Sequence, residues 1–251
     1  MSDRRVALSL LAHPDDAEIL CAGTLIRLAE LGWEIHIATV ANGHGGSMTL
    51  PRQAIAEVRR KEGVAAAALL GATYHCLDEP DVEVTFDKQT NRKVIDLVRR
   101  LAPSLMFTHS RHDYMLDHEQ VHLLARSAAF CYSIPNASEL PRIDGSAIPW
   151  LYYCDPVEGC DPYTGELVTP TTYVDISDHI DRKAELLACH ASQRDWLRAH
   201  HGMDEYINAM RRHGQTRGKQ VGVGYAEGFV RHRGHPFPQT DLLAELFPPT
   251  T

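Results

Sequence analysis

The fold of this chain follows from the stretch Val6-Ala7-Leu8-Ser9-Leu10-Leu11-Ala12-His13-Pro14-Asp15-Asp16-Ala17-Glu18. Its first six residues are apolar apart from one serine, and they have the length and flanks of a buried parallel strand. A helical pattern begins directly after the polar residues. One histidine and two aspartates are therefore predicted between the carboxyl end of a strand and the amino end of a helix, where open α/β sheets bind their ligands.

Strands and helices alternate through the first half of the chain. Apolar residues recur at helical spacing over Glu18–Leu31, and Gly32 follows as a residue suited to end a helix. The later elements are, in order, a strand at Trp33–Val40, a helix at Arg52–Leu70, a strand at Tyr74–Leu77, a helix at Asn91–Leu101 and a strand at Ser104–Thr108. This order predicts an α/β fold with a doubly wound, mostly parallel sheet flanked by helices.

The pattern loosens after about Tyr132. Prolines and glycines between Pro135 and Pro170 predict substrate loops and added strands, and a helix is expected from Ile180 to about His200. No internal repeat, low-complexity tract or clear linker interrupts the sequence. We therefore expect a single domain over residues 1–251 with an elaborated C-terminal part.

The composition indicates a globular protein and excludes several classes of partner. Hydrophobic residues make up 44% of the 251 residues, enough for a substantial core. Lys and Arg number 25 against 33 Asp and Glu, and the net charge of −8 disfavours binding to nucleic acid or an anionic membrane. No apolar run reaches the roughly 18 residues of a membrane helix, and no signal region is evident, so we expect a cytoplasmic protein. The sequence has six cysteines, and no two of them form a Cys-x-x-Cys motif. Whether copies of the chain form a homo-oligomer is left open by the sequence.

A second polar cluster, His109–Gln120, follows the last of these strands. Asp117 and Gln120 have the spacing of a capping box, which places His118 at the first position of a helix that runs to about Phe130. The geometry of the first motif is thereby repeated, with polar residues after a strand and before a helix.

Both motifs are expected at one edge of the sheet, because parallel strands end on the same side. His13, Asp15, Asp16 and His118 can therefore converge, although each motif taken alone also fits a turn with a helix cap. Two imidazoles and one carboxylate suit a single zinc ion, with the fourth position left for water, and the sequence leaves open another divalent metal in its place. A second carboxylate beside them can take the proton of that water, as metal-assisted hydrolysis requires.

Two hypotheses from other classes compete with this one. His118-Glu119-Gln120-Val121-His122 matches H-E-x-x-H, the signature of zinc metalloproteases. Against the protease, this motif begins at a helix N-terminus, lacks an evident third ligand and leaves Ala12–Glu18 unexplained. The other hypothesis is a non-catalytic, Rossmann-like small-molecule sensor. The presence of Asp15 argues against a sensor, because a pure binder needs no base.

Several segments together resemble the LmbE-like/PIG-L family of zinc-dependent N-acetylglucosaminyl deacetylases. They are Ala12–Glu18 with Gly23-Thr24, the helix Glu57–Leu70 with Gly71, Thr108–His118 and Lys183–Gln193, and Tyr225–Phe229 adds to the likeness. The resemblance implies a Rossmann-like fold. It also implies hydrolysis of an N-acyl group, commonly N-acetyl, from a small-molecule amino sugar or its conjugate.

The resemblance also implies roles for individual residues. Zinc is expected on His13, Asp16 and His118, with Asp15 as the general base. Arg59 matches a position associated with substrate binding in the family.

One position departs from the family pattern. The second motif commonly reads His-Pro-Asp-His, with its first histidine donating to the oxyanion, whereas this chain has Met115-Leu116-Asp117-His118. Methionine cannot donate a hydrogen bond. His112 lies in the same segment and is our first candidate for the catalytic donor that replaces the missing histidine, with Tyr114 and His109 as further candidates.

Overall fold

The computed structural model describes residues 5–141, 147–157, 159–194 and 206–248. Strands within these ranges are β1 (Val6–Leu11), β2 (Glu34–Ala41), β3 (Thr73–Glu79), β4 (Leu105–Thr108), β5 (Trp150–Cys154), β6 (Thr172–Asp175) and β7 (Ala226–Arg231). The helices of the same ranges are α1 (Asp16–Leu20), α2 (Ala22–Glu30), α3 (Arg52–Leu70), α4 (Lys88–Leu101), α5 (Leu116–Cys131), α6 (Ile180–Ala188), α7 (Tyr206–Val221) and α8 (Leu242–Leu246).

The described strands form one sheet in the order β3-β2-β1-β4-β5-β7-β6. Strands β1 to β5 pair in parallel, whereas β7 lies antiparallel between β5 and β6. The predicted α/β, Rossmann-like fold with a mostly parallel sheet is confirmed, including the added C-terminal strands. Because β2 and β4 lie on opposite sides of β1, the strand order reverses between β1 and β4, and ligands bind at such a point in open sheets.

Strand β1 lies in the middle of two hydrophobic layers, and all six of its residues are buried. Ala7 and Leu11 pack into the layer on one face of the sheet, and Leu8 and Leu10 pack into the layer on the other. A central parallel strand is covered on both faces, so its sequence is a continuous apolar run rather than an alternating one.

The single helix predicted over Glu18–Leu31 is two helices in the structure. Cys21, with φ −142°, separates α1 from α2. The carboxylate of Glu227 accepts hydrogen bonds from the backbone N–H groups of Gly23 at 2.8 Å and Thr24 at 2.7 Å. These are amino-terminal donors of α2, so a residue from β7, about two hundred positions away, stabilises the start of the second helix.

Helix α5 begins at Leu116, two residues before the predicted start. Asp117 does not cap the helix, because its carboxylate accepts a hydrogen bond from the backbone N–H of Val82 at 2.7 Å. Gln120 accepts one from the backbone of Phe86. Both side chains hold the loop after β3 in place, a tertiary role that the local capping pattern does not reveal.

The helix expected from Ile180 to about His200 corresponds at its start to α6, which ends at Ala188. Residues 195–200 of that prediction lie outside the described residues. Of the helices that the structure describes, none combines the length and apolar character needed to cross a bilayer.

Candidate active site

Three ligand atoms meet between the carboxyl ends of β1 and β4. His13 Nδ1 lies 3.3 Å from His118 Nε2 and 3.5 Å from Asp16 Oδ2, and the last two atoms are 3.6 Å apart. We call these three atoms the ligand triangle. Tetrahedral zinc with bonds of about 2.0 to 2.1 Å holds its ligand atoms about 3.3 Å apart. The triangle therefore has the donor set and the dimensions for zinc.

The outward-facing nitrogens of both histidines contact carboxylates. His13 Nε2 lies 2.9 Å from Asp81 Oδ1 and 3.1 Å from Asp117 Oδ2, and His118 Nδ1 lies 3.0 Å from Asp113 Oδ1. An imidazole that donates its outer N–H to a carboxylate directs the lone pair of its inner nitrogen toward a metal. These three aspartates therefore fix the tautomer and the orientation of the two imidazoles.

The charges in this cluster also favour cation binding. Burial acts to raise the pKa of Asp16, but the neighbouring His118 holds it well below its ordinary value. Burial acts in the same direction on Asp81, yet its contact with His13 lowers the pKa of that carboxyl to about 2. Asp16 and Asp81 are therefore ionised, and their negative charges favour a bound cation.

His109 is buried behind the triangle. Its Nε2 accepts a hydrogen bond from the backbone N–H of Ala12 at 2.9 Å, and its ring stacks on His118 with a centroid distance of 3.9 Å. Burial lowers the pKa of His109 to about 4, so the stacked ring is neutral. His109 supports His118 from behind.

Asp15 lies beside the triangle in a strained backbone conformation, with φ 113°. Its Oδ2 accepts a hydrogen bond from the hydroxyl of Tyr206 at 2.6 Å and lies 3.2 Å from Nη2 of Arg59. Burial raises the pKa of Asp15, and the charge of Arg59 acts against that rise. Strained residues concentrate at functional sites, and a carboxylate with a raised pKa suits a general base.

Arg59 is only 4% exposed and secures the turn that carries Asp15. Its guanidinium donates to the carbonyls of Pro14 at 2.6 Å and Gly43 at 3.2 Å. A Cβ atom at Gly43, where φ is +73°, would lie 2.7 Å from Nη1 of Arg59. The loop after β2, which carries Gly43 and Gly46, therefore packs closely on Arg59. Arg59 borders the cavity, with its guanidinium engaged by these protein groups, and its part in substrate binding stays a prediction.

The triangle forms the floor of a cavity of about 560 Å³. Gly45, Gly46 and Gln193 form a polar side, which we call the glycine-loop wall. An apolar side, which we call the α7 wall, is formed by Ile19, Leu20, Val157, Ala209 and Met210. The remaining described lining residues are His13, Asp15, Asp16, Arg59, Asp81, Val82, Tyr114, Met115, His118, Tyr206 and His213.

The structure brings His13, Asp15, Asp16 and His118 together, as the sequence predicts, but it does not bring His112 to them. His112 Nδ1 lies 2.6 Å from Asp161 Oδ2, and His112 is not among the described residues that line the cavity. Its role as a catalytic hydrogen-bond donor stays a prediction.

Tyr114 and Met115, from the same segment as His112, do line the cavity. The ring of Tyr114 stands edge-on to His118, with their centroids 5.4 Å apart. Among the donors that the sequence suggests for the oxyanion, Tyr114 is therefore the one whose side chain borders the cavity.

The H-E-x-x-H arrangement of a metalloprotease is absent from the described residues. His122 Nδ1 donates to the backbone carbonyl of His109 at 3.0 Å, and its ring packs on Tyr153. Within the described ranges His122 belongs to none of the groups of atoms that could hold a metal. The second histidine of the protease motif therefore has a structural role.

Tyr206 and His213 are two of the cavity residues that sequence analysis missed. Both lie on α7, and with Met210 and Arg217 they recur at positions 206, 210, 213 and 217. This spacing places them on one face of the helix. This recurrence was the available signal, but nothing in the sequence showed that this face of the helix points toward the ends of β1 and β4.

Comparisons with known proteins agree with this geometry. Residues 8–129 match the sequence profile of the PIG-L family, described as GlcNAc-PI de-N-acetylase. The 4-oxalmesaconate hydratase of Pseudomonas putida is 26% identical over 258 residues, which cover 99% of this chain and 92% of that protein.

Two deacetylases are also similar. Diacetylchitobiose deacetylase of Thermococcus kodakarensis is 24% identical over 201 residues, which cover 76% of this chain and 71% of that protein. The solved structure of N,N'-diacetylchitobiose deacetylase from Pyrococcus horikoshii, bound to an inhibitor, superposes with a TM-score of 0.78. That comparison covers 96% of this chain and 89% of the other at 24% identity, which shows a shared fold.

Proposed function

Since this chain belongs to the PIG-L (LmbE-like) family of enzymes, as its motifs predicted, we propose that it is a zinc-dependent hydrolase of N-acylated amino sugars or their conjugates. The observation that carries this proposal is the ligand triangle, with sides of 3.3 to 3.6 Å, beside the Asp15 carboxylate. The six cysteines are all unpaired, which supports a reducing compartment such as the cytoplasm.

His13, Asp16 and His118 would hold the zinc ion. When bound, zinc supplies a Lewis acid that polarises a carbonyl and lowers the pKa of water. Asp117 and Asp113, by hydrogen bonds, and Asp81, by its close contact with His13, keep the two imidazoles oriented for this task.

Asp15 is the proposed general base and then the proposed acid. Its Oδ2 is held by Tyr206 and Arg59, so Oδ1 is the atom that accepts a proton from the attacking water. The hydroxyl of that water bonds to the amide carbon, the carbon–nitrogen bond breaks, and the proton passes from Oδ1 to the departing amine. The products are a carboxylic acid and a free amine.

Tyr114 is the proposed donor to the oxygen that becomes negative. Met115 occupies the position where the family resemblance implies a donating histidine, and it offers no N–H or O–H group. Tyr114 is the neighbouring residue, lines the cavity and carries a hydroxyl that is protonated at neutral pH. An oxyanion donor of this kind contributes on the order of a hundredfold to kcat.

Hydration of a carbon–carbon double bond is a second candidate reaction. It is favoured by the match to a hydratase over 99% of this chain. The same groups serve both reactions, because Asp15 can also take a proton from a water molecule that adds to an activated double bond. The two reactions differ in their products, since hydration retains every substrate atom and deacylation divides the substrate.

Mass spectrometry of the zinc-loaded protein distinguishes the two candidates. The protein is incubated with N-acylated glucosamines and their glycosides and, in parallel, with unsaturated dicarboxylic acids. Release of free glucosamine, lost in Asp15→Asn, supports deacylation. A gain of one water by an unsaturated acid, with every N-acyl substrate intact, would replace our proposal by the hydratase.

A further inference from the structure

The first half of helix α7, from Tyr206 to His213, borders the cavity. Tyr206, at its beginning, donates a hydrogen bond to Asp15, and His213, two turns later, still lines the cavity. Seven residues of α-helix span about 10 Å. The cavity therefore extends along α7 well beyond the position where an amide would react.

The cavity surface along α7 is apolar. Leu20 and Met210 are buried in the same hydrophobic cluster, and Ile19 and Val157 pack against it. Together with Ala209 these residues form the α7 wall. An acetyl group ends in one methyl group and fills only the start of such a wall. A long apolar group would cover it and gain free energy from leaving water.

The glycine-loop wall offers a different surface. The Gln193 side chain donates to the carbonyl of Gly46 at 3.1 Å, and its amide borders the cavity. Sugar hydroxyls need hydrogen-bonding partners when they leave water, and this wall supplies an amide and backbone groups. The sugar therefore fits the glycine-loop wall, and the part of the substrate on the other side of the amide fits the α7 wall.

We propose that the α7 wall is an acyl-chain subsite and that the preferred substrates carry a medium-chain N-acyl group rather than N-acetyl. This inference rests on the proposed N-acyl hydrolysis. Met115 extends the apolar surface at the reacting end of the cavity, because it replaces a polar side chain of the family pattern.

His213 marks the distal end of the subsite. Its Nε2 lies 3.3 Å from Asp155 Oδ2, and Asp155 is held by a two-point contact with Arg217 at 2.7 and 3.1 Å. A Cβ atom at Gly159 would lie 3.3 Å from the His213 ring. The ring is therefore fixed in place, and a polar group fixed at the end of an apolar wall limits the length of chain that the wall accepts.

Substrates that differ only in the acyl chain test the proposal. The kcat/KM of the zinc-loaded enzyme is measured for N-acetyl-, N-butyryl-, N-hexanoyl- and N-octanoylglucosamine, and for the octyl glycoside of N-acetylglucosamine. We expect kcat/KM to rise at least about tenfold from N-acetyl to N-octanoyl. A flat or falling series overturns the subsite, as does a rise for the octyl glycoside alone, which would assign the α7 wall to the aglycone.

Variants of α7 test the location of the subsite. Met210→Gln should lower the ratio of N-octanoyl to N-acetyl kcat/KM about tenfold, whereas Gln215→Asn, on the exposed face of the same helix, should leave that ratio unchanged. His213→Leu should move the preferred chain to a longer acyl group, and Asp155 keeps Arg217 as a partner in this variant. An unchanged chain preference in both Met210→Gln and His213→Leu contradicts the assignment.

Binding separates a failure of the subsite from a failure of the proposed reaction. The affinities of Asp15→Asn for N-octanoyl- and N-acetylglucosamine are compared by calorimetry, with and without Met210→Gln. Tighter binding of the octanoyl compound that requires Met210, without hydrolysis by the wild-type enzyme, supports the subsite and rejects the reaction. Hydrolysis with equal affinities for both compounds supports the reaction and rejects the subsite.

Discussion

The floor of the cavity and helix α7 beside it come from different parts of the chain and are held by different interactions. The ligand triangle lies at the ends of β1 and β4, and each imidazole is fixed by carboxylates behind it. The α7 wall combines Ala209 and Met210 of α7 with apolar side chains of other elements, and α7 is joined to the floor by the hydrogen bond from Tyr206 to Asp15. A floor of this kind tolerates little change, whereas a helix face can vary in side chains. Substitutions in the floor should therefore abolish the reaction, and substitutions on α7 should change its rate or selectivity.

The largest effect is expected from removal of a triangle carboxylate. Asp16→Ala deletes one of three ligands, so the protein should lose its zinc and all measurable turnover. His122→Gln is the matched control, because His122 is a buried histidine outside the triangle and glutamine retains a donor for the carbonyl of His109. Elemental analysis of the purified proteins measures the metal content. Full zinc in Asp16→Ala together with loss in His122→Gln would favour the protease site instead.

The second largest effect concerns Asp15, which lies beside the triangle and is not one of its ligands. Asp15→Asn keeps the size of the side chain and removes its capacity to accept a proton, so kcat should fall about 10²- to 10⁴-fold. Zinc content should stay at the wild-type value. A variant with normal turnover would show that Asp15 is not the base, and a variant without zinc would show that it is a ligand.

The parts of the fold that were predicted from sequence depend on local pattern. The apolar run of β1 and the helical periodicity of α3 are encoded in neighbouring residues, and both predictions are confirmed. The break at Cys21 was not predicted, because the capping group is the distant Glu227. The position of β7 between β5 and β6 also depends on pairing between remote segments, which periodicity does not reveal.

In the candidate site, too, the residues predicted from sequence follow from local pattern, and the residues that were missed depend on contacts between remote segments. His13, Asp16 and His118 were expected to converge because parallel strands share an edge, and the structure places them within 3.6 Å of one another. The roles of Asp81 and Tyr206 were missed. Asp81 reaches His13 from the loop after β3, and Tyr206 depends on how α7 packs against the sheet. The sequence gives no signal for the contact of Asp81, and the recurrence along α7 does not show which way that helix faces.

A smaller effect tests which residue donates to the oxyanion. Tyr114→Phe removes a hydroxyl from the cavity lining, and loss of one oxyanion donor lowers kcat on the order of a hundredfold. His112→Ala, in the same segment, should change kcat little, because its ring contacts Asp161 outside the lining. Both variants should retain zinc. The reverse order of effects would restore His112 as the donor and exclude Tyr114.

The smallest effect lies at the junction between the floor and α7. Tyr206→Phe deletes the hydroxyl that holds Oδ2 of Asp15, while the aromatic ring still fills its place in the wall. A hydrogen bond to a charged group is worth about 1.5 kcal/mol or more, so kcat should fall about tenfold with zinc retained. Tyr173→Phe is the matched control, since the Tyr173 hydroxyl donates to Gln220 at the surface. If the hydroxyl of Tyr206 only positions Asp15, the decrease should disappear in the Asp15→Asn background, where there is no base left to position. A tenfold loss that persists in the double variant would mean that Tyr206 acts directly on the substrate.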